Sequence, residues 1–197
     1  MKKKAGILLV TGIFIYAFLN RKKIIKVFTS DNEFIKQMLP YALAIESKFK
    51  IPHLFLLAQT GLETGFGKHL PGYNFAGLKA VKDALGNPQE PAQLLWTWEY
   101  LNNRDAAAKF PERDASKDVY INGKWKVRVK DWFKKYDSLQ AGLNGYISVL
   151  MKPRYKAAFN YSEPLAFAAE IKKGGYATDP NYVAKIEKNI NYIKNII

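Results

Sequence analysis

The chain has 197 residues, enough for one ordinary domain with a sizeable core, and 48% of them are hydrophobic. It has no cysteine, which excludes a disulfide framework, a thiolate metal site and a cysteine nucleophile, and His53 and His69 are too few ligands for a histidine-rich zinc site. The net charge of +14 is uneven: seven positives precede Asp31, leaving 24 basic against 17 acidic residues, a balance that suits an anionic polymer or surface.

The first segment, Ala5 to Leu19, is an uninterrupted run of 15 uncharged residues between Lys2–Lys4 and Arg21–Lys23. A spanning helix needs about 17–25 apolar residues, and snorkelling lysines with Ile24 and Ile25 extend this run toward that length. A cleaved signal would end in a small-residue site, and Tyr16–Asn20 offers none. Residues 1–28 are therefore expected to form an uncleaved N-terminal membrane anchor, a removed signal being the alternative, with 29–197 as the folded domain. Basic clusters on both sides leave the orientation open.

Ser30-Asp31-Asn32-Glu33 reads as a capping box. Phe34, Met38, Leu39, Ala42 and Ile45 follow at helical spacing, predicting a helix to about Phe49 with a possible kink at Pro40. The next helix opens with Pro52 at its first position and runs nearly apolar to Leu62, its polar side chains being His53, Gln59 and Thr60. Glu63 stands at its end, before Gly65 and Gly67. A carboxyl group at the rim of an apolar helix loses water, and desolvation favours its protonated form. Such a glutamate is suited to general-acid chemistry near neutral pH; a solvated helix-end residue is the plain alternative.

The following loop reaches Ala80. Its Asn74 is either a contact for a ligand amide or a turn cap, and Lys79 either a polymer contact or a solvated charge. From Pro88 to Trp132 the pattern becomes strands, a β-lobe over about 90–132. Leu94–Tyr100 is rich in β-formers, and Asn122-Gly123 between Val119–Ile121 and Trp125–Val129 is a strong hairpin signal. Asn102–Ala115 shows no period and reads as a loop or insertion. Glu99, Asp118 and Asp131 are carboxylates of this region, an exposed strand residue paired with a cation being the plain reading of Glu99. Trp96, Trp98, Trp125 and Trp132 all fall here, as packing residues or, for one or two of them, as stacking surfaces.

Helix is expected again after Trp132, to Leu150, with Asp137 or Ser138 as cap. Short helices follow through Phe159 and from Glu163 to Lys172 after Ser162, and a final helix runs to Ile197.

Several of these stretches together resemble the glucosaminidase domain of glycoside hydrolase family 73. They are Leu57-Ala58-Gln59, Gly61-Leu62-Glu63-Thr64-Gly65-Phe66-Gly67, Asn74-Phe75-Ala76-Gly77-Leu78-Lys79-Ala80, Thr97-Trp98-Glu99-Tyr100, and Gly175-Tyr176-Ala177-Thr178-Asp179-Pro180-Asn181-Tyr182. The likeness covers Phe34 to about Ile193. It departs at Ala76, where an aromatic is usual, and leaves the anchor and residues 102–118 unmatched.

The resemblance implies an α+β, lysozyme-like fold, mainly helical with a small antiparallel β-lobe beside a cleft. It implies an endo-β-N-acetylglucosaminidase cutting the β-1,4 bond after N-acetylglucosamine in peptidoglycan, with Glu63 as general acid. Glu99 is the candidate second carboxylate, participation by the substrate's acetamido group staying open. Tyr176 is expected near Glu63 to position water or that acetamido group, a buried backbone-bonded tyrosine being its alternative. Asn74, Phe75, Lys79, Trp98 and Tyr155 are candidate substrate contacts, with packing as the other reading of Tyr155; Tyr182 reads as packing. No metal or organic cofactor is implied. The expected partners are glycan strands and, through residues 1–28, a membrane; no nucleic acid is expected, and the chain is expected to be a monomer. The catalytic domain is placed outside the membrane, in a cell envelope or a phage particle. An N-acetylmuramidase, a lytic transglycosylase, or an inactive wall-binding module are the rival functions.

Overall fold

The computed structural model describes residues 30–197. The anchor expected over 1–28 lies outside them, and among the described residues no helix is long and apolar enough to cross a membrane. The described residues form two units, one of residues 30–67 with Ser148–Ile197, the other Lys68–Ile147.

The first unit is helical. Helix α1 (Asp31–Phe49) begins as the capping box requires, with Ser30 Oγ accepting from the Glu33 N–H at 3.1 Å. Phe34, Ile35, Met38, Ala42 and Ile45 form its buried face, and the helix runs through Pro40 to a left-handed cap at Lys50. Helix α2 (His53–Thr64) starts one residue later than expected, because Pro52 is its cap and not its first turn. Helix α3 (Leu139–Leu150) crosses the boundary between the units. A 3-10 segment, Pro153–Asn160, leads to α4 (Pro164–Lys173), whose cap is Glu163 and not Ser162: its carboxylate accepts the Ala166 N–H at 2.6 Å. Helix α5 (Tyr182–Lys194) stops short of Ile197 and buries Tyr182, Ile186, Ile190 and Ile193 at helical spacing.

The second unit holds an antiparallel sheet of β1 (Ala92–Leu101), β2 (Glu112–Ile121) and β3 (Lys124–Lys134), ordered β1-β3-β2. Asn122 and Gly123 take φ of 51° and 77°, the left-handed pair that a two-residue hairpin turn with matching twist demands. Two expectations are corrected here. Residues 102–115 are not an open loop: a 3-10 segment, Arg104–Lys109, is followed by β2 from Glu112. Helix also does not return at Phe133, because β3 keeps its two-residue period to Lys134, burying Val127, Val129, Asp131 and Phe133 on one face. The α3 cap is Ser138, whose Oγ accepts from Ala141 N–H at 3.2 Å. The mixture of helices with a small antiparallel sheet is the α+β composition expected.

Candidate active site

Glu63 stands in the last turn of α2, and the chain beyond it is tightly tied. Gly65, Phe66 and Gly67 are all left-handed, at φ of 60°, 53° and 79°. Two of the three are glycines, for which this region carries no steric cost; Phe66 occupies it through its packing. The Phe66 ring meets Phe34 and Tyr192 edge-on at 5.8 and 5.6 Å. It also lies over Gly61, where an added Cβ would come within 2.7 Å of the ring. Thr64 closes the turn: its hydroxyl donates to Thr60 O at 2.7 Å and accepts the Gly67 N–H at 2.8 Å.

The surroundings of the carboxyl group set its chemistry. Burial raises the Glu63 pKa from 4.5 to about 7, against the opposing effect of a hydrogen bond from Gln59. Gln59, one helical turn back and fully buried, donates from Nε2 to Glu63 Oε1 at 2.8 Å. Its Oε1 accepts the Tyr182 hydroxyl at 2.5 Å. Tyr176 is 2% exposed, with its ring 6.1 Å from those of both Tyr155 and Tyr182. Burial first, then the Glu63 charge, push its hydroxyl pKa far above the ordinary tyrosine value, while a hydrogen bond with Gln59 works the other way. Tyr176 thus joins Glu63 in one buried polar group, as a neutral phenol at physiological pH. Tyr155 does not offer a sugar contact: it is fully buried, Arg154 lies 4.6 Å from its ring centroid, and a Cβ at Gly174 would touch it at 2.5 Å.

In the second unit, Asn74 has the turn-cap role. Its Nδ2 donates to Leu78 O at 2.9 Å and to Lys134 O at 3.0 Å, and its Oδ1 accepts the Leu78 N–H at 2.9 Å. Those bonds take both amide hydrogens, so a substrate acetamido group has no donor left to meet. Phe75 is 1% exposed and packs inside, which removes it as a surface contact. Lys79 is not a free surface charge: it donates to Glu99 Oε1 at 2.5 Å and pairs with Asp131 at 3.0 Å. Asp131 is also held by Lys82 at 2.8 Å and by the Trp132 N–H at 2.8 Å. Burial alone would raise its pKa, and the lysine bonds reverse that and hold it below the ordinary aspartate value. Asp118 is similarly occupied by Arg113 and, at 2.9 Å, by Arg104.

Register separates Trp98 from Glu99. Glu99 pairs with Val127 and so shares the face of β3 that buries Val129 and Asp131, whereas Trp98 pairs with Arg128 on the opposite face. There the aromatic surfaces are already covered: Lys126 lies 4.7 Å from the Trp98 centroid, and Arg128 and Lys130 lie 5.0 and 5.2 Å from that of Trp96. Trp98 is therefore a partner for a cation of the neighbouring strand β3. Trp125 packs with Leu101 and Phe110 against Ala107, Val127 and Val129.

The sequence reading missed the roles of Gln59 and Tyr182. A signal for Gln59 was present, a polar residue four before the glutamate on an otherwise apolar helix; nothing local marked Tyr182 as its partner. Among the described residues no group of three histidines or carboxylates is placed to hold a metal ion.

Residues 39–195 match the glucosaminidase family, described as mannosyl-glycoprotein endo-beta-N-acetylglucosaminidase. The chain is similar to the peptidoglycan hydrolase FlgJ of Salmonella typhimurium, 31% identical over 164 residues that make up 79% of this chain and 44% of that protein. Among solved structures it is similar to a peptidoglycan hydrolase mutant from Sphingomonas sp. A1, with TM-score 0.59 and 28% identity over 84% of this chain and 97% of that one. A C-terminally truncated glycoside hydrolase domain from Salmonella typhimurium FlgJ gives TM-score 0.60 and 26% identity over 84% of this chain and 99% of that one. The chain spans less than half the length of the curated FlgJ relatives it matches. With its helices, sheet and Glu63 motif in the order described, and 39–195 matched throughout, the chain belongs to the glucosaminidase family.

Proposed function

We propose that the chain is a lysozyme-like glycoside hydrolase that cleaves the β-1,4 bond after N-acetylglucosamine in peptidoglycan strands, with Glu63 as general acid. The observation that carries this reading is a carboxyl group whose proton is retained to about pH 7 at the end of a buried helix. Protonation of the glycosidic oxygen by Glu63 lets the bond to the anomeric carbon break as positive charge develops on the sugar; water then adds to that carbon. Glu99, its carboxylate oriented by Lys79, or the substrate's acetamido group supplies the second role, and Tyr176 positions the reacting groups. Peptidoglycan hydrolases among its relatives support the substrate class. The apolar run Ala5–Leu19 supports membrane anchoring of an envelope-facing enzyme.

The test is product identification on purified walls by mass spectrometry. The expected products carry reducing N-acetylglucosamine; reducing N-acetylmuramic acid or a 1,6-anhydro ring would reassign the reaction. Glu63→Gln is expected to lower the turnover number by about 10²- to 10⁴-fold while leaving the fold intact. Retained turnover would remove Glu63 from its role.

A further inference from the structure

The hydrogen-bond chain behind Glu63 has a direction. Tyr182, on α5, donates its hydroxyl hydrogen to Gln59 Oε1 at 2.5 Å, and that bond, beside the one between Gln59 and Tyr176, sets which end of the Gln59 amide faces the glutamate. The amide therefore presents Nε2, which donates to Glu63 Oε1 at 2.8 Å. With Oε1 occupied as an acceptor, the proton of the neutral carboxyl group belongs on Oε2. Gln59 is fully buried and Tyr182 is 3% exposed, so water does not compete for these bonds. We infer that Tyr182 and Gln59 are positioning residues that place the transferable proton of Glu63 on Oε2, and that Tyr182 acts by preventing the Gln59 amide from turning over. This rests on the reading of Glu63 as the general acid.

The reverse orientation shows why the direction matters. Turned over, Gln59 would present its carbonyl oxygen to Glu63 and accept the very proton that has to leave. It would also stabilise the neutral carboxyl group and raise its pKa. The titratable groups in these surroundings are Tyr176, Tyr182 and Tyr155, each with its pKa raised by burial first, so they stay neutral while Glu63 titrates. The backbone of the same turn is anchored separately, by Asn189 Nδ2 donating to Ala58 O at 3.1 Å. Loss of the Tyr182 hydroxyl thus leaves α2 and α5 joined.

The experiment is Tyr182→Phe, read in two ways. The Glu63 carboxyl is titrated by ¹³C NMR in protein labelled at glutamate carboxyls, its signal assigned by its loss in Glu63→Gln. Turnover on purified walls is measured across pH. The expected result is a Glu63 pKa raised by roughly half to one unit, a turnover number lowered about tenfold, the worth of one hydrogen bond, and a KM within about twofold of wild type. The upper limb of the pH–rate profile should move with the NMR pKa. An unmoved Glu63 titration in a folded Tyr182→Phe protein overturns the inference, even if turnover falls, because the hydroxyl would then be a packing contact only. If Tyr182→Phe does not fold, Gln59→Met decides by the same titration: a raised pKa supports the chain and an unmoved one overturns it. A shifted titration with Glu63→Gln still active would keep the positioning chain and remove the general-acid assignment, so the two failures are distinguishable.

Discussion

Glu63 and Glu99 are the same side chain in two opposite settings. Glu63 ends an apolar helix, its Oε1 facing the neutral amide of Gln59, and burial holds its proton to about pH 7. Glu99 lies on a sheet face with Lys79 at 2.5 Å, in a group that continues through Asp131 to Lys82. In that group burial alone would lower the Lys79 pKa, yet its bonds with Glu99 and Asp131 raise it above the ordinary lysine value. One unit thus builds a carboxylic acid and the other an array of fixed charges. Residue type gives the capacity, and the neighbours decide whether the group meets a neutral amide in a buried setting or a lysine on a half-open sheet face.

The largest effect expected from this contrast is on rate against pH. Above about pH 7, kcat/KM should fall about tenfold per unit as Glu63 loses its proton. A profile flat from pH 6 to 9 would break the contrast. Stability gives the next effect, and its sign is fixed. Glu63 has a folded pKa of about 7, above its ordinary 4.5. Below 4.5 the group is protonated in both folded and unfolded chains and costs nothing. Between 4.5 and 7 the unfolded chain ionises first, so stability is lost as pH rises, and above 7 the loss is complete. Glu63→Gln should therefore be more stable than wild type at pH 8.5 by roughly 2 kcal/mol, allowing for partial exposure, and nearly equal to it at pH 4. Urea unfolding at both pH values checks this. Smallest is Lys79→Met, which leaves Glu99 without its cation. Since Lys79 and Glu99 keep 29% and 22% of their side-chain surface in solvent, and the buried Asp131 keeps its bond to Lys82, the cost should be only about 1 kcal/mol in the same measurement. A cost several times larger would mean that the charged array is as dry as the Glu63 pocket.

Much of this was legible where the signal is local. Ser30 with Glu33, the apolar spacing of α1, Asn122-Gly123 and the glycines after Glu63 each act within a few residues, and each forms the element its spacing predicts. The end of β2, Val119–Ile121, was legible beside the turn, but its earlier part was not, because Glu112 to Asp118 is charged and largely exposed and no alternating apolar pattern marks it. Phe133 was misassigned because an aromatic followed by Lys134-Lys135 suits either element, and only pairing with Gln93 on β1 settles it as strand. At Asn74 and Lys79 the choice between ligand contact and structural role stayed open, since their partners, Lys134 O and the carboxylates of Glu99 and Asp131, are distant in sequence. Tyr182 and Gln59 are 123 residues apart, a separation no periodicity can bridge.

The discontinuity of the first unit has a kinetic consequence. Residues 30–67 must wait for Ser148–Ile197, with Lys68–Ile147 emerging in between. During synthesis α2 is therefore made long before the helices that bury it, and its contacts with α4 and α5 close a long loop. The intervening residues have a sheet and a hairpin of their own, and early folding there would shorten the effective closure. A nascent chain would hold Glu63 as an ordinary solvated glutamate until α5 arrives, so the buried setting that raises its pKa forms only after Lys68–Ile147 and α4 have been made.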